Sequence, residues 1–224
     1  MLRYTTYRQG DPKWAATKIG VFPGGKTVTL GSHGCFITSF TNALANYAID
    51  ITPPQAVAKL LAVNGLTTDG QLTYDGIMRA FPDVAFWGRH DTTVNNQPNY
   101  SRMDIGVALK RIQKLVRLGQ PVILCVDAIN NDKIADHAVL CVSENFDVVD
   151  PAYGDLKPIA FRYGQPDRSI YGFVALIGSP VEFNDETYAP EGQALWKMTQ
   201  AYKLAGNAAA KQYAKEAIDI LLSY

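Results

Sequence analysis

His137-Ala138-Val139-Leu140-Cys141-Val142-Ser143-Glu144-Asn145-Phe146-Asp147-Val148-Val149-Asp150-Pro151 is the stretch on which the fold turns. An apolar run opens on a histidine, breaks at the polar Ser143-Glu144-Asn145, and resumes at Phe146. Two short apolar runs around a polar break predict a β-hairpin. A turn centred near Ser143 or Glu144 sets Asp150 opposite His137, within about two positions for other turn types. Cross-strand neighbours on one face bring their Cβ atoms to roughly 4.5–5.5 Å. An imidazole and a carboxylate at the mouth of this hairpin are therefore expected to share a hydrogen bond. Asp136 adjoins His137 but is expected to face the opposite way. Pro151 fits a strand end, because proline cannot continue a central ladder.

Another buried-strand run, Pro121-Val122-Ile123-Leu124-Cys125-Val126, precedes the hairpin, and β-type sequence follows it at Ile159 to Phe161 and at Tyr171 to Ile177. Helical patterns dominate earlier in the chain. Thr52-Pro53-Pro54-Gln55 combines a threonine N-cap, a proline at the first helical position and a glutamine placed for a capping box. That helix runs through Leu60 and Leu61 and stops near Gly65. A short helix from Tyr74 to Phe81 ends at Pro82-Asp83, and the polar stretch from Phe86 to Tyr100 is expected to be a surface loop.

From Met103 to Leu118, the residues Ile105, Ala108, Leu109, Ile112 and Val116 fall on one helical face. Lys110, Arg111, Lys114 and Arg117 lie largely opposite and are expected to be solvated. Helices first and an antiparallel sheet second predict an α+β class, with one further short strand near Val28 to Leu30. From Glu191 to Tyr224 the pattern becomes two alanine-rich helices broken at Gly206-Asn207. Leu195, Met198, Tyr202 and Ala205 line the first, and Tyr213, Ala217, Ile220 and Leu221 the second. The expected organisation is a body over residues 1–180 and a helical appendage over residues 181–224, which is expected to bind a partner or to self-associate.

Lys and Arg number 21, as do Asp and Glu, so no net charge draws the chain to nucleic acid or to an anionic membrane. The apolar runs fall short of a bilayer span, and the N-terminus lacks the apolar segment of a secretory signal. A soluble protein is expected: cytoplasmic, phage-associated or exported by a non-classical route. Three cysteines without close pairing argue against a disulfide framework or a structural zinc site. Cys125 and Cys141 sit in the strand runs and read as buried hydrophobes.

Cys35 is different. It follows Gly34 and opens a helix whose apolar residues Phe36, Phe40, Leu44 and Tyr47 keep helical spacing. A thiol at a helix N-terminus meets unpaired N–H groups and the positive end of the dipole, which favour a negative charge. Gly31 and Gly34 suggest a turn in conformations closed to other residues. A cysteine, then a histidine on a later strand, then an acid on its hairpin partner is the constellation of thiol catalysis: nucleophile, proton carrier and tautomer-fixing acid. His33 is expected to be peripheral, and His90 falls in the polar stretch.

With those residues in place, the chain resembles the papain-like cysteine peptidases of the double-glycine-leader, bacteriocin-processing type, and most of all their stand-alone peptidase-39-like relatives. The matching segments are Gln9-Gly10-Asp11-Pro12-Lys13-Trp14, Gly34-Cys35, Thr52-Pro53, Leu118-Gly119-Gln120-Pro121-Val122-Ile123, His137 with its strand, and Val149-Asp150-Pro151-Ala152-Tyr153-Gly154. They occur in the family's order over roughly the first 180 residues. The resemblance implies a papain-like fold with Cys35 as nucleophile, His137 as acid–base and Asp150 as orienting acid. It also implies that the Gln9 amide binds the oxyanion and that Trp14 packs. No cofactor or metal is called for. The chain carries no transporter segment, so double-glycine cleavage does not follow. The function expected is hydrolysis of a peptide or isopeptide bond in a protein linker or a peptidoglycan stem peptide. Alternatives are a transglutaminase-like acyltransferase and a non-catalytic binding or structural protein that keeps the fold.

Overall fold

The computed structural model describes residues 2–94, 102–128, 136–178, 189–204 and 208–223. Chain order begins β1 (Lys18–Val21), β2 (Thr27–Thr29), α1 (Leu30–His33), α2 (Cys35–Leu44), α3 (Pro53–Ala62), α4 (Tyr74–Ala80), β3 (Val84–Thr92), β4 (Arg102–Met103) and α5 (Ile105–Arg117). It continues β5 (Val122–Val126), β6 (His137–Cys141), β7 (Asp147–Asp150), β8 (Asp155–Pro158), α6 (Pro166–Ser169), β9 (Gly172–Gly178), α7 (Ala189–Leu204) and α8 (Ala208–Ser223). The class is mixed α and β. β1 and β2 form a small hairpin of their own, and the other strands make a seven-stranded sheet in the order β4-β3-β9-β5-β6-β7-β8. Its neighbours are antiparallel except for β3 with β4.

Every residue of β5 and β9 is buried. Because successive side chains point to opposite faces, the middle of the sheet is covered on both sides. α2 packs on β5 and β6, while α5 and α7 pack against β9. Phe40, Leu44, Ile112, Leu115, Ile123, Leu124 and Phe173 are all fully buried in that core. Leu195 of α7 and Ile218 and Leu222 of α8 belong to the same cluster. No helix among the described residues is long and apolar enough to cross a membrane.

Local chemistry explains most boundaries. At the start of α3, Gln55 Oε1 accepts from the Thr52 N–H (2.8 Å) and the Thr52 hydroxyl (2.9 Å). Thr73 and Asp104 cap α4 and α5 by accepting from Gly76 N–H and Val107 N–H.

Several expectations are corrected. The stretch from Phe86 is not a surface loop: β3 runs to Thr92, His90 stacks on Phe173 of β9, and Asp91 is buried. Residues 95–100 of that stretch lie outside the described residues. Ile159–Phe161 is a 3₁₀ turn, and the strand precedes it as β8. The basic face of α5 is not simply solvated, since Arg111 pairs with Asp219 of α8 (3.3 Å), Lys114 with Glu191 of α7 (3.9 Å) and Arg117 with Glu144. On α8, Ile220 is exposed, whereas Leu221 packs partly buried against the core beside the buried Ile218 and Leu222. Gly206-Asn207 and Ala205 lie outside the described residues, as do the side chains of Tyr202 and Tyr213.

Candidate active site

The approach to Cys35 is a pair of abutting helices. Thr29 caps α1, with the Ser32 N–H donating to its hydroxyl oxygen at 3.3 Å. Gly34 ends α1 and begins α2, its N–H donating to Leu30 O at 2.8 Å. Its φ is −88°, an ordinary value, so the glycine is not there for an unusual backbone conformation. Close approach is the reason: a Cβ at Gly34 would sit 2.4 Å from Leu30 O, and one at Gly31 would sit 2.9 Å from Ala15 Cβ. Cys35 is half-buried at the first residue of α2, where the opening N–H groups of a helix have no partner within it. Ser39, one turn on, donates to Ala138 O at 3.0 Å. α2 is thereby fastened to β6 beside His137.

Gln9 reaches the site on a segment clamped from two sides. Asn42 of α2 accepts through Oδ1 from Thr5 Oγ1 (2.9 Å) and Tyr7 N–H (2.8 Å), and its Nδ2 donates to Tyr7 O at 3.2 Å. On the other side, Gln9 N–H donates to Pro151 O at 2.7 Å and Arg8 Nε to Ala152 O at 3.1 Å. The turn that follows Asp150 thus positions the residue that enters the cavity beside Cys35. Gln9 Nε2 donates one hydrogen to Gly31 O at 3.3 Å. An amide nitrogen carries two, so the second can point at a developing oxyanion. Trp14 packs as expected, its ring edge-on to Tyr7 and its N–H donating to Arg8 O.

His137 and Asp150 meet, although not as register partners. β6 and β7 pair Leu140 with Val149 and Cys141 with Val148. Continued, that register sets Val139 opposite Asp150, two residues from His137 and therefore on the same face. His137 Nε2 lies 3.0 Å from Asp150 Oδ1. An ionised carboxylate only accepts, so Nε2 carries the proton and Nδ1 is the nitrogen left for Cys35. Burial opposes charge on His137, but hydrogen bonding to Asp150 and Cys35, together with their charges, outweighs it and raises its pKa from 6.5 to about 9. Asp150 is fully buried. Burial raises its pKa, yet hydrogen bonds from His137, Tyr163 and Ala152 N–H win and hold it below the usual carboxylate value.

Cys35, His137 and Gln9 border one cavity of about 430 Å³, with Phe22, Phe36 and Tyr74 among its apolar walls. His33 is not remote: it lines the same cavity and packs edge-on against Phe22. Asp136 also reaches the rim, its carboxylate accepting from Ala128 N–H at 2.7 Å. Arg89 is a lining residue that the sequence did not suggest. Gly88, with φ +41°, is the extra residue of a bulge between Trp87 and Arg89, facing Ala175 and Val174 on β9. The bulge shifts the alternation by one and turns Arg89 to the cavity side, where Asp91 Oδ1 holds it at 3.0 Å. Cys125 borders the cavity too, but burial pushes its thiol up to about 11, and that of Cys141 up to about 12.

Comparison with protein-family models, curated proteins and solved structures finds no match.

Proposed function

We propose that this chain is a cysteine peptidase of papain-like architecture, similar to the peptidase-39-like proteins, which hydrolyses a peptide or isopeptide bond. One observation carries the reading. Cys35, His137 and Gln9 border a single cavity while buried Asp150 holds the far nitrogen of the imidazole. Each group then has a distinct task. The Cys35 thiol gives its proton to His137 Nδ1 and the resulting thiolate attacks the carbonyl carbon, and the oxyanion so formed takes N–H donors from Gln9 Nε2 and the Cys35 backbone. A donor aimed at that oxygen contributes about 2.7–4 kcal/mol in comparable sites.

His137 Nδ1 passes its proton to the leaving amine, whose C–N bond breaks to leave a thioester on Cys35. Water then adds to the thioester with His137 accepting its proton, and the acid product departs as the sulfur is released. Asp150 keeps Nε2 protonated throughout, so Nδ1 alone exchanges protons. The substrate class proposed is a peptide or protein linker, including the peptide stems of bacterial cell wall.

The test is digestion of a peptide library and of cell-wall stem peptides, read by mass spectrometry. New termini are expected from the wild-type chain, with losses of roughly a thousandfold or more in His137→Ala. Wild-type protein that cuts nothing, or His137→Ala that cuts as well, would reject the proposal.

A further inference from the structure

We propose that Tyr163 is a positioning residue of this site, its hydroxyl fixing the Asp150 carboxylate so that Oδ1 faces His137. The inference rests on the functional reading above. Its basis is the set of contacts around one buried acid. Asp150 Oδ1 accepts from His137 Nε2 at 3.0 Å and from Ala152 N–H at 2.9 Å. Oδ2 accepts from the Tyr163 hydroxyl at 2.6 Å, a short bond of the charge-assisted kind. The carboxylate has no exposed surface, so water cannot replace a donor that is removed.

Arg162 is the competitor. Its Nη1 stands 3.7 Å from Asp150 Oδ2, too far for a hydrogen bond, while its Nη2 is engaged by Asp155 at 2.7 Å and its guanidinium lies over the Tyr153 ring at 4.0 Å. A free Oδ2 would be drawn to that guanidinium, and the carboxylate would rotate away from the imidazole. The Tyr163 hydroxyl occupies Oδ2 and prevents this. Its ring also flanks the imidazole, the two centroids being 6.1 Å apart. Burial and the Asp150 charge raise the tyrosine's own pKa far above its ordinary value, so it remains a donor.

The fold delivers Tyr163 by a local device. After β8 the chain folds into the turn at Ile159–Phe161, anchored by Ile159 N–H to Phe146 O (2.9 Å), and Tyr163 N–H donates back to Ile159 O (3.0 Å). Arg162, Tyr163 and the cross-strand Asp155 surround Asp150, and Cys35 faces His137. Asp136 is turned to Ala128.

Tyr163→Phe keeps the ring and deletes the hydroxyl. The readout is the His137 imidazole titration by NMR, in the wild-type background and with Asp150→Asn, each variant checked for cooperative unfolding. The expected result is a His137 midpoint at least half a unit below that of the wild type, with no further drop when Tyr163→Phe is added to Asp150→Asn. On any peptide the wild type cleaves, kcat should fall by roughly tenfold, the weight of one hydrogen bond to a charged group, with KM unchanged. An unmoved or raised midpoint, or an equal drop without the Asp150 carboxylate, would overturn the positioning role. If Asp150→Asn does not fold, the single variant's titration decides alone. Titration as expected in a protein that cleaves nothing would overturn the peptidase reading and leave Tyr163 in place.

Discussion

His137 Nε2 lies 3.0 Å from Asp150 Oδ1 across a strand pair whose register places the two residues diagonally. Both protonation equilibria are displaced in the sense that favours an ion pair. The pair is a single interaction and contributes to stability once. His137 is raised from 6.5 to about 9, so its contribution is complete below pH 6.5 and is lost as the pH rises through 9. Asp150 is lowered from 3.8, so its contribution is present above that value and is lost as the pH falls through its depressed pKa. Denaturant unfolding followed against pH should show a decline on each flank. The alkaline decline should shrink in Asp150→Asn; a decline of unchanged size in that variant would refute the linkage.

Thiol labelling should separate the three cysteines. Cys125 and Cys141 are buried, with thiols pushed up to about 11 and about 12, whereas Cys35 is half-buried on the cavity wall. Iodoacetamide at neutral pH should modify Cys35 well before the other two in the native protein, as read by peptide mass mapping. Equal labelling of all three would sink the nucleophile assignment.

Gly34→Ala should destabilise the chain by about 1–3 kcal/mol, the range for overpacking a closed site. The added Cβ would meet Leu30 O at 2.4 Å and Leu30 Cα at 2.7 Å, both backbone atoms that cannot turn aside. Urea denaturation measures the change, and a variant as stable as the wild type would show that the two helices can part without cost.

Asn42→Ala should loosen the segment that carries Gln9. It deletes the acceptor for Tyr7 N–H and Thr5 Oγ1 and the donor to Tyr7 O. Leaving such partners unsatisfied costs about 1–3 kcal/mol. Faster amide exchange around residues 5–9 is expected together with that loss. Exchange unchanged there would mean that the contacts to Pro151 and Ala152 suffice to hold Gln9.

The Cys35 helix, the Thr52 cap and the 137–150 hairpin were legible because each is written in neighbouring residues: periodicity, a capping set, two apolar runs around a polar break. β3 was not. Arg89, His90 and Asp91 read as polar loop, and what makes them strand is the distant β9, on whose Phe173 the His90 ring stacks. The Gly88 bulge breaks the alternation that would have betrayed the strand. For the candidate site, the Cys35, His137 and Asp150 positions follow from local pattern and hairpin register, and Gln9 from resemblance alone. Tyr163 left no local signal, because its role depends on a turn that folds it back thirteen residues to Asp150. Gly31 and Gly34 were legible as glycines but for the wrong reason: the backbone is ordinary and the space is not.

The most direct test of the central claim is intact-mass analysis of acid-quenched protein mixed with a peptide it cleaves, followed by mapping of the adduct. The account predicts the acyl fragment attached to the peptide that contains Cys35, and no cleavage by Cys35→Ala. Cleavage that persists in Cys35→Ala would contradict it.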